Sequence, residues 1–414
     1  MRFSIYAIVG PSRRNCSTLL KIRRDLVCKR DLGSISSFVI RRVSINIAEQ
    51  EEEHIRSMHL FRLLIIAASL SLASAASAAT IGIVAPQSGA YEMLGAQVRQ
   101  GVQVAATKAG LDVMEIHESC EEGSGGAIAD GLVAAKVSVV VGFLCTETLA
   151  DALPILKNAA IPAITLSSRA SGLMEDTLKR GWPLFRLAPS DMDESSALID
   201  VILRDWKGHS FGLIDDGTIY GRELVDRIRS KLEESGLKPT FTDTLRPAQE
   251  QQIALVRRLG RTGITHVFVG AERNDVAVIA RDAAAEKLAL TILSGDTMRA
   301  ANNPVPLQEG VLAVTLPEYS LAPQAADAVA ALRAAKVEPE GYALPAYAAT
   351  QITAKLVELS EAQGKPAPEL MIGTAFETAI GQIVFNDRHE LQANPYRLQR
   401  WNGTAFVPVD RAER

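Results

Sequence analysis

The chain has 414 residues, of which 47% are hydrophobic and 22% are charged, and its formal net charge is −4. It is too apolar for a disordered protein and too long for a small disulfide scaffold. Aromatic residues make up only 5% of the chain, and it has no excess of basic residues to neutralise phosphates, so the composition argues against nucleic acid as a partner. This length accommodates two or three domains with large cores.

The N-terminal part does not read as part of a fold. Residues 1–57 show no sustained helical or strand period, whereas Met58 begins a secretory signal pattern: a short basic start, an apolar stretch at 63–73, and small residues up to Ala78. A membrane anchor is the alternative, but a spanning helix needs about 20 strongly apolar residues. We predict a signal peptide over 58–78 and export to the periplasm. The preceding segment is then an upstream extension created by an early start codon, or else a genuine cytoplasmic extension.

Two cysteines, Cys120 and Cys145, remain once residues 1–78 are removed. An even number of cysteines in an exported chain usually indicates a disulfide. A zinc site is disfavoured because only His117 lies nearby and no further ligand follows at zinc-like spacing. We therefore predict a disulfide, worth roughly 3 kcal/mol by the loop-entropy argument.

Apolar, β-branched runs alternate with helical patterns along the rest of the chain. Successive strand and helix pairs are predicted at 81–84 and 95–109, 137–142 and 147–159, 211–215 and 221–235, and 266–270 and 274–286. A strand at 310–315, helices at 324–335 and 346–362, and short antiparallel strands at 381–385 and 396–401 follow. Continuous apolar strands separated by helices indicate parallel sheets covered on both faces. The fold class is therefore α/β, with two similar lobes.

Signatures of common enzymes and cofactor sites are missing from the sequence. It contains no GxGxxG after the first strand, no P-loop, no HExxH and no GxSxG. The four histidines after residue 78 are scattered. The sequence therefore predicts neither an enzyme nor a cofactor or metal site.

A series of segments, in this order and spacing, resembles the type I periplasmic binding proteins, in particular the leucine/isoleucine/valine-binding family of ABC importers. The segments are IGIVAPQSGAYEMLGAQVRQGVQVA, ESCEEG, VVVGFLCTETLADALPIL, IPAITLSSRASGL, FRLAPSD, LIDDGTIYGRELVD, LSGDTM, YALPAYAATQ and GQIVFNDRHEL. The family's disulfide falls on the same two cysteines. The resemblance implies a receptor, expected as a monomer, that delivers a small-molecule ligand to the membrane subunits of a permease.

The resemblance also implies two lobes, each a doubly wound, mainly parallel sheet with helices on both faces, joined by a three-stranded hinge. The crossings are expected near Leu187, Thr315 and Thr378. This assigns 79–187 plus 316–378 to the first lobe, and 188–315 plus 379–414 to the second.

The ligand is expected between the lobes, and the resemblance assigns its contacts residue by residue. Thr146, Ser167 and Ser168 lie at strand-to-helix turns, where hydroxyl and free N–H groups hold a carboxylate. Tyr220 closes over the ligand and Asp296 receives its ammonium, a charge-assisted bond. Tyr342 falls where the family has an aromatic wall. A helix-capping role is the structural alternative for Thr146 and for Asp296.

Three positions depart from the family pattern. Arg169 replaces a threonine, Glu272 a tyrosine, and Leu94 another tyrosine. Arg169 can bind a ligand carboxylate bidentately, or pair with Glu272 or Asp296 across the cleft. These charges make the cleft more polar than one that binds leucine. The sequence therefore does not decide whether the ligand has a branched-chain or a more polar side chain. A sensory module of the same fold and a periplasmic enzyme are the alternative functions.

Overall fold

The computed structural model describes residues 79–409, so the predicted upstream extension and signal peptide lie outside the described residues. Its first elements are β1 (Thr80–Ala85), α1 (Glu92–Ala109), β2 (Asp112–His117), α2 (Gly125–Ala134), β3 (Val139–Gly142), α3 (Thr146–Asn158), β4 (Ala163–Thr165), α4 (Ser171–Arg180) and β5 (Leu184–Arg186). The five strands form a parallel sheet in the order β2-β1-β3-β4-β5. This sheet is the centre of the first lobe.

A second alternation follows directly. It comprises α5 (Asp193–Asp205), β6 (Phe211–Asp215), α6 (Ile219–Glu234), β7 (Phe241–Thr244), α7 (Ile253–Thr262), β8 (His266–Gly270), α8 (Arg273–Ala285), β9 (Thr291–Ser294), a 3-10 turn (Asp296–Arg299) and β10 (Leu312–Thr315). These strands pair in parallel and form the centre of the second lobe.

The last part of the chain contributes to both lobes. It begins with two 3-10 turns, Tyr319–Leu321 and Pro323–Ala325, and then forms α9 (Ala326–Ala334), α10 (Ala343–Gln363), α11 (Ala367–Met371), β11 (Ala375–Thr378), β12 (Gly381–Val384), β13 (Arg397–Trp401) and β14 (Phe406–Pro408). Strands β11 and β12 form an antiparallel pair. Strands β13 and β14 extend the second sheet antiparallel, giving the order β14-β13-β10-β9-β8-β6-β7.

Both sheets are covered by helices on both faces, as the continuous apolar strands predict. Along β3, Val139 and Val141 pack in a cluster with α1 and α10, whereas Val140 packs with α2, α3 and α4. In β8, Val267 packs with α7 and α8, and Phe268 packs with α5 and α6. Side chains alternate across a strand, so a strand buried on both faces is apolar at most of its positions. The structure confirms the predicted two-lobed, doubly wound α/β fold.

The third crossing lies later in the chain than the predicted position near Thr378. Ile383 and Phe385 belong to the first lobe's core, and the Phe385 ring meets that of Phe185 edge-on at 5.4 Å. The buried Arg186 also pairs with Glu390. The segment after β11 therefore packs on the first lobe, whereas 379–414 was predicted to belong to the second. The chain joins the second sheet only at β13.

Within residues 79–409, the helices are each too short or too polar to cross a membrane.

Candidate ligand-binding site

The candidate site lies where the strands of the two sheets end. Thr146 opens α3 after β3, and Ser167 and Ser168 follow β4. In the second lobe, Tyr220 lies in the first turn of α6 and Asp296 follows β9. The carboxyl ends of parallel strands share one edge of a sheet, and ligands of open α/β sheets bind at that edge.

The first lobe presents a pair of hydroxyl groups beside the N-terminus of α3. The Thr146 and Ser168 hydroxyl oxygens are 3.4 Å apart. The Ser167 hydroxyl instead donates to the carbonyl of Phe143 at 3.2 Å, which holds the two loops together. Thr146 is the first helical residue, and the preceding Cys145 makes no side-chain cap. The first-turn N–H groups and the hydroxyl pair can therefore serve an anion such as a carboxylate.

The turn that carries Thr146 is held by two further groups. Cys120 and Cys145 form the predicted disulfide, with a Cα–Cα distance of 5.4 Å. The buried Glu118 accepts the N–H of Leu144 at 2.8 Å and that of Cys145 at 3.0 Å. Glu118 also lies beside both sulfur atoms, but oxidised cysteines offer no thiolate to a metal. The arrangement thus fixes the start of α3.

The second lobe presents two neighbouring acids, Asp296 and Glu194, of which the sequence predicts only Asp296. Glu194, 8% exposed, uses Oε1 to accept the Tyr220 hydroxyl and the Asp296 N–H, both at 2.7 Å. The Leu316 N–H donates to Asp296 Oδ1 at 3.1 Å. Burial raises the pKa of Glu194, and the hydrogen bonds from Asp296 and Tyr220, which lower the pKa, offset this only in part. Burial and the neighbouring Glu194 raise the pKa of the Tyr220 hydroxyl, so this tyrosine stays a donor. The second lobe therefore offers two carboxyl groups, those of Glu194 and Asp296, at a position where only that of Asp296 was predicted.

Arg169 links the two lobes. Its Nη1 donates to the Tyr396 hydroxyl at 3.3 Å, and Tyr396 is almost fully buried at the start of β13. Burial opposes the charge of Arg169, but the field of Tyr396, Asp296 and Tyr342 raises its pKa. Two acids, Asp296 and Glu194, therefore interact electrostatically with Arg169. Asp296 is one of the two partners that the sequence left open.

Glu272 makes no polar contact with the other candidate site residues that the structure describes. It is the exposed residue before α8, and no hydrogen bond or ion pair joins it to the other candidate residues described in the structure. Leu94 is 36% exposed on α1. The structure therefore places Thr146 next to Ser168, and it joins Tyr220 to Asp296 through Glu194. Arg169 lies near Asp296 and Tyr342. Glu272 makes none of these contacts.

A cavity of about 230 Å³ is lined by two of the predicted site residues, Arg169 and Tyr342. Arg299, Tyr319 and apolar side chains from the crossings also line it. A larger cavity of about 450 Å³ lies against the crossing segments, but none of the predicted site residues lines it. Of these two cavities, only the smaller is lined by predicted site residues.

Two α/β lobes whose strand ends carry hydroxyl groups on one side and carboxyl groups on the other define a solute-binding protein. The chain belongs to the periplasmic binding protein family, whose sequence profile matches residues 78–405. Members of this family bind substrates and are not enzymes.

Several similar proteins are of the leucine/isoleucine/valine-binding type. Leu/Ile/Val-binding protein homolog 3 of Brucella melitensis is 23% identical, over 86% of this chain and 100% of that protein. The leucine-, isoleucine-, valine-, threonine- and alanine-binding protein of Pseudomonas aeruginosa is 24% identical, over 84% and 97%. The structure of an ABC transporter substrate-binding protein from Desulfitobacterium hafniense in complex with leucine is similar with a TM-score of 0.58 and 19% identity, covering 80% of this chain and 100% of that one.

Proposed function

We propose that this protein is a periplasmic receptor that captures an amino acid between its lobes and delivers it to the permease of an ABC importer. The observation that carries the proposal is the complementary chemistry of the two lobes. Thr146 and Ser168, beside the N-terminus of α3, suit the α-carboxylate. Asp296, supported by Glu194, suits the ammonium group.

The relatives support an amino acid as the ligand class, since their names describe binding of leucine, isoleucine, valine, threonine and alanine. The site residues of this chain are consistent with recognition of the amino-acid head group. Because Arg169 and Glu194 add charges to the cleft, we propose the amino-acid class without restricting it to branched side chains.

The proposal is tested by isothermal titration calorimetry of the purified chain against these five amino acids and against polar and acidic ones. Asp296→Asn should weaken binding by roughly 10- to 100-fold, because the ligand ammonium loses a charged acceptor. The asparagine oxygen still accepts the Leu316 N–H, so the loop is retained. Asp243→Asn, at an acid that pairs with Arg258 away from the site, should bind normally.

If no amino acid binds, the proposed function is wrong. If amino acids bind and Asp296→Asn binds them as tightly as the unmodified chain, the ammonium assignment is wrong. Delivery to a permease is tested by uptake of the labelled ligand in cells with and without the receptor.

A further inference from the structure

The cavity of about 230 Å³ has an unusual combination of walls. Leu166 and Leu316 contribute apolar surface, and Tyr319 and Tyr342 contribute aromatic surface, while two arginines, Arg169 and Arg299, also line it. We call this cavity the arginine pocket. Its volume corresponds to roughly eight water molecules of the liquid, which suits a small ring or a short side chain.

Arg169, Arg299 and Tyr319 line the same cavity. Burial raises the pKa of Tyr319, while the positive charges of Arg299, Arg397 and Arg169 lower it and the negative charge of Asp296 raises it. Among residues 79–409, no ion pair is formed by Arg169 or Arg299 within 4.0 Å. The direct partner of Arg169 is the neutral hydroxyl of Tyr396. The two positive charges at this pocket are therefore not matched by contacting carboxylates.

Such a pocket is poorly suited to a purely aliphatic side chain. Closure of the lobes over a ligand would remove water from the guanidinium groups, and desolvated charges are costly unless a counter-charge is supplied. A planar carboxylate supplies it with paired N–H···O bonds to arginine. The apolar and tyrosine walls then contact the rest of the ligand group.

We propose that the arginine pocket receives a carboxylate carried on a short apolar or aromatic group of the ligand. The inference deepens the proposed function, on which it rests, by naming the chemistry of the group that enters the pocket. The carboxylate belongs either to the side chain of an acidic amino acid, whose ammonium meets Asp296, or to an aromatic acid without an ammonium.

The competing explanation is that Arg169 only stabilises the apposed lobes by its proximity to Asp296 and its bond to Tyr396. In that case its removal weakens all ligands alike. In the proposed case, removal weakens the ligand that carries the extra carboxylate and spares its amide counterpart.

The test compares acid and amide pairs of nearly equal shape by isothermal titration calorimetry: glutamate with glutamine, and benzoate with benzamide. The acid of at least one pair should bind about tenfold or more tightly than its amide. Arg169→Gln and Arg299→Gln should abolish this preference, and Arg169→Lys should retain part of it. Arg204→Gln, at a surface arginine paired with Asp205, should leave it unchanged. Thermal unfolding of each variant verifies the fold.

If at least one ligand binds, the titrations separate the inference from the proposed function. Amino acids that bind without any acid preference, or an Arg169→Gln variant that weakens glutamate and glutamine equally, would overturn the arginine pocket and leave the amino-acid receptor standing. If benzoate binds and no amino acid does, the arginine pocket is supported and the proposed amino-acid ligand is wrong. Asp296→Asn distinguishes the two sources, since it should weaken glutamate and spare benzoate. Failure of the whole panel contradicts both proposals.

Discussion

Glu118 lies just after β2 with 1% of its surface exposed, and both of its carboxylate oxygens accept backbone N–H groups ahead of α3. Burial raises the pKa of Glu118 to about 7, although these two bonds lower it. A carboxyl group whose pKa is higher in the folded than in the unfolded chain binds its proton more tightly when folded. Its contribution to stability is complete below about pH 4.5 and is lost as the pH rises through about 7.

Glu118→Gln should therefore change how stability depends on pH. Relative to the variant, the unmodified chain should lose as much as roughly 3 kcal/mol of unfolding free energy between pH 4.5 and 8. Urea unfolding of both proteins at several pH values measures this difference. Glu122→Gln, at an exposed neighbour, is the control and should run parallel to the unmodified chain. A difference that stays constant across this range would mean that the carboxyl group titrates near its ordinary pKa.

Single residues also show where prediction from the sequence ends. The resemblance assigned Thr146, Ser168, Tyr220 and Asp296 to the candidate site, because each lies in a recognisable motif. Glu194 was missed because an acid in the first turn of a helix is common for local reasons. Its bond to Asp296 joins residues 102 positions apart, so only the fold reveals it.

At the scale of elements, the contact between α2 and α3 depends on a glycine. A Cβ placed on Gly125 would lie 2.1 Å from the carbonyl oxygen of Thr148, in the backbone of α3. The nearest atom to a Cβ on the adjacent Gly126 is a side-chain carbon of Ile155 at 3.9 Å. A side chain at Gly126 therefore has space, whereas a side chain at Gly125 would collide with the backbone of α3.

Gly125→Ala should destabilise the protein by about 1–3 kcal/mol, because the α3 backbone must move away. Gly126→Ala should be neutral or stabilise it by up to about 1 kcal/mol, since alanine is the better helix former. Thermal and urea unfolding of the two variants checks the contrast. Equal effects of the two substitutions would show that the helices are not in close contact at Gly125.

Elements were predicted best where the pattern is long and both faces of a strand are buried. The predicted bounds of β6 and β8 match the structure, and helices such as α1 and α6 begin and end within a few residues of the prediction. Strands β4 and β5 were missed because each has three residues, too few to show a period. Strand β2 was missed because its ends are exposed and partly charged, and it is held by pairing with β1.

At the scale of the whole molecule, the sequence predicts two lobes, but the path between them depends on packing that no local pattern encodes. The segment that contains Ile383 and Phe385 resembles a small antiparallel appendage in sequence. Its apolar side chains fill the first lobe's core, and the chain enters the second sheet only at β13. Which lobe a short strand joins is decided by long-range contacts, so the third crossing was misplaced.

The proposed binding mode gives the two ends of one ligand partners in different lobes, which has a consequence for the shape of the protein. A ligand held by Thr146 in the first lobe and Asp296 in the second gains both sets of bonds only when the lobes are apposed. Such a ligand binds the closed arrangement more tightly than the open one, and this difference in affinity shifts the population toward the closed arrangement. Saturating ligand should lower the radius of gyration of the chain.

Small-angle X-ray scattering with and without ligand measures this closure. Asp296→Asn at the same ligand concentration should keep the larger radius, because the second lobe then lacks its charged contact. A ligand that saturates the site by calorimetry but leaves the radius unchanged would contradict closure. Because closure brings Arg169 and Asp296 into one desolvated space, a ligand that lacks a group for Arg169 should close the lobes less completely at saturation than one that has it.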